Sequence, residues 1–301
     1  MTFLPESTSD DCTSSGAEIA GVSDIGRRRK VNQDHFLIAD LHRTLTIRSS
    51  NVPHDECEQL TGREPGLLLV VADGMGGHSG GEVASTTAIQ SAARYVLDMM
   101  HWFLKLSNDK EEDFIDELSD CLKNVQEAIW SKSVPDAAGR MGTTVTMAYI
   151  IGSKLYIVHA GDSRAYLFRD GQLKQLTTDH TMAQRLVEDG ALSQEDAETS
   201  RWRHVLWNCV GGCDNVVQPE VTKVNLREHD ALLLCSDGLT GMVPDDEIVD
   251  VLSDQTSCRE KAEALVQKAN AAGGNDNITV VVGNSLIDSR SDKGLRDTDA
   301  F

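Results

Sequence analysis

Leu67-Leu68-Leu69-Val70-Val71-Ala72-Asp73-Gly74-Met75-Gly76-Gly77 runs six apolar residues straight into a carboxylate and then into glycines. The run has the length of a fully buried strand, with β-branched Val70 and Val71 near its end. The strand is expected over 67–72, so Asp73 falls where it leaves the core. Gly74, Gly76 and Gly77 let the backbone approach neighbours that a side chain would block. One carboxylate beside bare backbone is a place to hold a cation or a phosphate, and equally an ordinary strand-to-turn junction.

The pattern recurs. Ala231-Leu232-Leu233-Leu234-Cys235-Ser236-Asp237-Gly238 is a second apolar run ending in Asp-Gly, and Leu155 to Asp162 (LYIVHAGD) is a third ending in Asp. Gly273-Gly274-Asn275-Asp276-Asn277 sets a fourth aspartate just before the strand Ile278-Thr279-Val280-Val281-Val282. Asp34 is a fifth, beside the short apolar run Phe36 to Ala39. Gathered at one edge, these carboxylates would repel one another by several kcal/mol unless cations neutralised them. Hard oxygen donors suit Mg²⁺ or Mn²⁺ rather than zinc or copper. Cys209 and Cys213, the one close cysteine pair, lack the CxxC spacing of a zinc site.

The 301 residues suffice for one large domain or two ordinary ones. A net charge of −20, from 48 acidic and 28 basic residues, excludes the usual profile of a nucleic-acid or anionic-membrane binder. No stretch approaches the roughly 18 apolar residues of a membrane span. The first 16 residues have neither the basic nor the apolar region of a secretory signal. Seven scattered cysteines point to reduced thiols and a cytoplasmic protein.

Residues 1–16 and 285–301 are expected to be a disordered lead and tail, with one domain over 17–284. Helical periodicity covers 80–104 and about 111–131. Turn-punctuated strands at 143–151, 154–160, 164–169 and 172–176 read as an antiparallel meander. Residues 41–66 read as a loop. The polar stretch from about 181 to 207, with helical pieces near 181–189 and 193–199, reads as a mobile flap. Strands resume at 216–224 and 231–235, helices follow at 244–252 and 258–272, and the last strand is 278–283. The class is α+β. The economical architecture is a four-layer α-β-β-α sandwich: two packed antiparallel sheets with helix pairs on the outer faces.

A carboxylate-rich, two-metal site suits phosphoryl hydrolysis. Two ions roughly 3.5–4 Å apart activate water and neutralise charge on phosphate oxygens. A guanidinium is the natural grip for the phosphate, because its fork permits bidentate hydrogen bonds. Arg27-Arg28-Arg29-Lys30, a basic run in an acidic chain, could provide it; a solvated basic turn is the bland alternative.

The motifs, taken in order, resemble the metal-dependent type-2C (PPM) protein serine/threonine phosphatases in their bacterial form. The matching segments are Gly26-xx-Arg29-xx-Asn32-Gln33-Asp34, Asp73-Gly74-Met75-Gly76-Gly77, Met141-Gly142-Thr143-Thr144, Gly161-Asp162-Ser163-Arg164, Thr178-Asp179-His180, Ser236-Asp237-Gly238 and Gly274 to Thr279. The resemblance implies that Asp73 bridges two metals and that the Gly74 carbonyl ligates one of them. It implies that Asp237 and Asp276 hold the other, and that Asp162 with Asp237 holds a third, weaker ion. Arg29 would bind the substrate phosphate, Asp34 would hydrogen-bond metal-bound water or Asp73, and Asn277 would support the Asp276 loop. Two positions depart from many relatives. Gln33 stands where a Glu is common, which weakens the charge near one ion. Met75 stands where some have His, so metal-bound water would supply the leaving-group proton, with His78 and His180 as nearby alternatives.

The implied activity is Mn²⁺- or Mg²⁺-dependent hydrolysis of phosphoserine and phosphothreonine in proteins, by a cytoplasmic monomer that binds neither nucleic acid nor membrane and reverses kinase signalling. Two other readings fit the residues: a non-catalytic phosphoprotein-binding module, which need not keep its metal ligands, and a small-molecule phosphomonoesterase.

Overall fold

The structure, a computed structural model, describes residues 17–42, 44–46, 59–61, 66–76, 80–99, 111–133, 141–212 and 215–287. The expected lead at 1–16, nearly all of the tail, and the end of the first helix beyond residue 99 lie outside them.

The 67–77 stretch does form the central strand, β5 (Gly66–Met75), and its alternation builds the whole molecule. Leu68 and Val70 point to one face and Leu67, Leu69 and Val71 to the other, as the two-residue period of a strand requires. One set packs under α1 (Gly80–Met99) and α2 (Glu111–Lys132), which present Ala84, Ala88, Phe114 and Leu118. The other set enters a layer between two sheets, against Leu232, Leu234 and Val281. Each fully buried leucine in such layers contributes about 1.5–3 kcal/mol.

The strands are β1 (Glu18–Asp24), β2 (Asp34–Leu41), β3 (Thr44–Thr46), β4 (Gln59–Thr61), β5, β6 (Gly142–Thr143), β7 (Val145–Ile151), β8 (Lys154–Ala160), β9 (Arg164–Arg169), β10 (Gln172–Gln175), β11 (Glu220–Asn225), β12 (Ala231–Cys235) and β13 (Ile278–Asn284). One antiparallel sheet has the order β11-β8-β7-β5-β2, with β6 on the end of β5. The other has the order β1-β13-β12-β9-β10. The helices after α2 are α3 (Met182–Glu188), α4 (Gln194–Thr199), α5 (Asp237–Thr240), α6 (Asp245–Ser253) and α7 (Cys258–Ala271). Ile248, Leu252, Ala262 and Leu265 of α6 and α7 cover the outer face of the second sheet, on Leu233, Val280 and Val282. The four-layer α-β-β-α sandwich is the observed architecture.

Three expectations need correction. The meander divides: β7 and β8 pair in one sheet, while β9 and β10 pair in the other. Gly161, at φ +126°, turns the chain between the sheets in a backbone region that side chains disfavour. β5 does not stop at residue 72. Gly74 and Met75 pair with Thr143 and Gly142, so Asp73 is a strand residue rather than a turn residue. Part of the 41–66 loop is a two-stranded ribbon, β3 with β4. Smaller shifts are that β11 starts at Glu220 rather than 216 and that the one-turn α5 carries Asp237. Among the described residues no helix is long and apolar enough to cross a membrane.

Candidate active site

Asp34 and Asp73 are directly opposite across the β2–β5 pair. Residues so placed have Cα atoms about 4.5–5.5 Å apart. The end of β5 is held by hydrogen bonds from both sides. The Asp73 amide donates to Thr144 Oγ1 (3.0 Å), the Thr144 amide to the Asp73 carbonyl (2.8 Å), and the Gly74 amide to the Gln33 carbonyl (3.2 Å). A Cβ on Gly74 would collide with the Gly81 carbonyl at the start of α1, so the strand end and the helix can meet only at a glycine.

The second sheet supplies the other carboxylates. Asp237 opens α5 directly after β12, and Asp276 precedes β13. Asp162 lies on the crossing between sheets, buried. The two halves are clasped at this edge. The Ser236 hydroxyl donates to Asp34 Oδ2 (2.7 Å), while Ser236 Oγ accepts from the Thr279 amide (2.9 Å). Asn277 ties the loops together: its Oδ1 accepts from the Gln33 amide (2.9 Å) and its Nδ2 donates to the carbonyls of Ile25 (2.9 Å) and Val31 (3.1 Å). Gln33 puts its side-chain amide against Gly81.

The electrostatics follow from this crowding. Burial, and then the charges of Asp34, Asp237, Asp162 and Asp276, push the Asp73 carboxyl well above its ordinary range. Burial and then Asp237 and Asp179 push Asp162 in the same direction. Burial and then Asp276 raise Asp237, with His204 and Arg29 opposing. Asp34 is pushed up to about 6, mainly by burial. Two unit charges about 5 Å apart cost about 3 kcal/mol at an effective dielectric of 20. The Oδ1 atoms of Asp34 and Asp237 are buried with no hydrogen-bond partner. Unpaired buried carboxylate oxygens facing other carboxylates are what a cation would satisfy, so the donor set fits hard divalent ions.

At the mouth, Arg29 Nη2 donates to Asp276 Oδ2 at 2.6 Å while half its side chain remains exposed. His180 goes elsewhere. Its Nδ1 accepts from the Gly161 amide (3.1 Å) and from Asn208 Nδ2 (3.0 Å), and its ring packs on His159 and Trp207. Burial lowers its pKa to about 4. These contacts make it part of the flap base rather than of the carboxylate cluster. His78 and Gly77 lie outside the described residues. Arg164, of the Gly161-Asp162-Ser163-Arg164 motif, grips Asp179 of the Thr178-Asp179-His180 motif with two nitrogens (2.9 and 2.7 Å), which fastens the two segments together.

His159, His180 and Glu220 also bring ligand-type atoms within 4.8 Å of one another. Hydrogen bonds already occupy them. His159 Nδ1 meets Thr146 Oγ1 (2.9 Å), and its Nε2 donates to the carbonyls of Gly161 (3.0 Å) and Thr178 (3.1 Å). With Nδ1 of His180 accepting, its proton sits on Nε2, 3.6 Å from Glu220 Oε2. The cluster is a structural network under the flap.

One residue had no signal in the sequence. His204, at the end of the flap, sets Nδ1 3.9 Å from Asp237 Oδ2. It gets there because the flap closes on itself. A bridge joins Thr181 to Leu206, and the Met182 amide donates to the Val205 carbonyl (2.7 Å).

A four-layer sandwich with a buried carboxylate cluster at its edge and a guanidinium at the mouth defines the class: a metal-dependent phosphoester hydrolase. The profile of the protein phosphatase 2C family matches residues 44–274. The chain is 38% identical over 217 residues to the serine/threonine phosphatase Stp of Listeria welshimeri, a match spanning 71% of this chain and 83% of that protein. The serine/threonine phosphatase of S. agalactiae superimposes with a TM-score of 0.72 at 29% identity, over 89% of this chain and 99% of its own. The catalytic domain of the phosphatase PstP, solved with two manganese ions, does so at 0.64 and 32% identity, over 89% of this chain and 97% of its own. The chain belongs to the protein phosphatase 2C family and is a metal-dependent protein serine/threonine phosphatase.

Proposed function

We propose that residues 17–284 form one catalytic domain, in which Asp73, Asp237, Asp276 and the Gly74 carbonyl hold two divalent ions, Mn²⁺ or Mg²⁺, and Asp162 with Asp237 holds a third, weaker one. The observation that carries the reading is the pair of buried, unpartnered oxygens on Asp34 and Asp237 within a cluster of mutually repelling carboxylates. Ions bound there would lower the pKa of water and neutralise charge on the phosphate.

The chain's own residues do the rest. Arg29 spends one of its five N–H donors on Asp276 and offers others outward to phosphate oxygens. Asp34, oriented through Oδ2 by Ser236, keeps Oδ1 to accept a hydrogen bond from water entering the cluster. Asn277 holds the Arg29 and Asp276 loops in register. His180 is bonded into the flap base, which favours water in the site as the source of the proton for the departing serine or threonine oxygen, with His78, outside the described residues, as the other candidate.

The reading extends to phosphoproteins as substrates and to a cytoplasmic monomer. Support for the cytoplasmic placing comes from the acidic charge and from the buried thiols Cys121, Cys235 and Cys258, none of which is in a disulfide. The test is phosphate release from a phosphothreonine peptide with Mn²⁺, alongside calorimetric Mn²⁺ titration. Mn²⁺-dependent release that is lost in Asp237→Ala is expected. Release without metal, or undiminished in that variant, overturns the assignment.

A further inference from the structure

Eight residues, Arg27 to Lys30 and Arg201 to His204, hold six of the chain's 28 lysines and arginines and none of its 48 acidic residues. Lys30 and Arg201 are 171 positions apart in sequence, and the fold brings both segments to the same carboxylate cluster. From one side Arg29 reaches Asp276 at 2.6 Å, and from the other His204 faces Asp237 at 3.9 Å. Arg29 and His204 both act on the charge of Asp237.

The cations of these segments are unspent. All six are exposed. Of these six cations only Arg29 is ion-paired; among the described residues Arg27, Arg28, Lys30, Arg201 and Arg203 have no carboxylate partner. Arg201 stacks over the Trp202 ring at 4.8 Å, and Arg203 donates to His204 Nε2 (2.8 Å) and to the Glu198 carbonyl (3.0 Å). Neither contact neutralises a charge. Glu195, Asp196 and Glu198 of the preceding α4 make this local absence of pairing more pointed, since carboxylates were within a few residues' reach. Apolar surface adjoins both segments: Ile25 and Val31 beside the first, Trp202 within the second and Val205 beside it, are 38–47% exposed.

We infer that Arg27-Arg28-Lys30 and Arg201-Arg203 form two basic jaws that select phosphopeptide segments carrying further negative charge, acidic side chains or a second phosphate, on both sides of the target residue. This rests on the phosphatase reading and specifies its substrate class. A protein of net charge −20 repels an acidic segment at long range. Two unpaired cationic patches at the site mouth reverse that sign locally, within a Debye length of about 10 Å at 0.1 M salt. The phosphate is held by Arg29 and the metal edge whatever its flanks, so the jaws act on the flanks and discriminate between substrates. Trp202 and Val205 add a surface on which peptide stems can lie.

The test uses the full chain with Mn²⁺ and three substrates: p-nitrophenyl phosphate, a phosphothreonine peptide flanked by Asp and Glu, and the same peptide flanked by Ser and Ala. The expected ratio of kcat/KM, acidic over neutral, is about tenfold or more at low ionic strength, and falls toward about twofold at 0.5 M salt as screening shortens to a few Å. Arg201→Gln/Arg203→Gln and Arg27→Gln/Arg28→Gln/Lys30→Gln should each cut the ratio at least about threefold. The ratio is internal to each variant, so a partial loss of folded protein does not affect it. A ratio near one in the wild type, or one unmoved in both variants, overturns the inference while p-nitrophenyl phosphate turnover still supports the phosphatase reading. Absence of Mn²⁺-dependent turnover on all three substrates overturns both.

Discussion

Asp73→Asn should make the metal-free protein more stable and the metal-loaded protein less so. Asp73 sits opposite Asp34 and within the fields of Asp237, Asp162 and Asp276. Its charge meets at least one neighbour at a separation worth about 3 kcal/mol at an effective dielectric of 20. Part of that is already relieved, because the raised pKa lets the cluster keep protons. A net gain of about 2 kcal/mol remains for the isosteric amide, which corresponds to about 4 °C in Tm for a domain of about 270 residues, at about 2.1 cal/mol/K of unfolding entropy per residue. Mn²⁺ at about 100 times its Kd adds about 2.7 kcal/mol per site to the wild type. The variant, lacking the carboxylate proposed to be shared between the ions, should gain little. Thermal melts followed by circular dichroism in EDTA and in Mn²⁺ should therefore show the two proteins exchanging order. A variant that melts below wild type in EDTA, or that gains as much from Mn²⁺, would refute the reasoning.

Glu111 opens α2 and binds Lys223 (2.6 Å), Lys154 (3.1 Å) and the Tyr156 hydroxyl (2.6 Å), which hold its carboxyl at about 2. That lowered value stabilises the fold above about pH 4.5 and is lost as pH falls toward 2. Glu111→Gln should melt lower than wild type at pH 7, and the gap should close between pH 4.5 and 2. Asn277→Ala strips partners from the Gln33 amide and the Ile25 and Val31 carbonyls; with some groups rehydrated, the urea midpoint should fall by an amount equal to about 3 kcal/mol. Leu69→Ala opens a hole between the sheets and should cost about 3 kcal/mol in the same assay.

The hydrophobic layers were open to sequence reading because buried strands such as 67–72 and 231–235 are near-continuous apolar runs. Asp73, Asp237 and Asp276 were legible for the same reason, as carboxylates that interrupt such runs at their ends. The strand status of Gly74 and Met75 was not, because glycine disfavours strands and the partner that holds them, β6, has two residues. Nor was the division of the meander. A tight connection at Gly161-Asp162-Ser163 looks alike whether the chain stays in its sheet or crosses to the next. His204 escaped notice because its approach to Asp237 depends on the flap folding back through Thr181 and Leu206, a tertiary closure with no periodic signature.

The cluster draws Asp34 and Asp73 from one sheet and Asp237 and Asp276 from the other, so its aperture is set by the thickness of the sandwich. Stacked sheets stand about 10 Å apart, a spacing that depends on the volume of Leu69, Leu234 and their neighbours. Mg²⁺ demands a near-ideal octahedron at about 2.0–2.1 Å, a tolerance narrower than the shift one methylene in that layer could impose. If the proposed carboxylates hold the ions, the choice of metal depends partly on hydrocarbon: repacking the apolar filling, far from any oxygen ligand, would retune which ion the protein prefers. Ion selectivity and core composition would then drift together over evolutionary time.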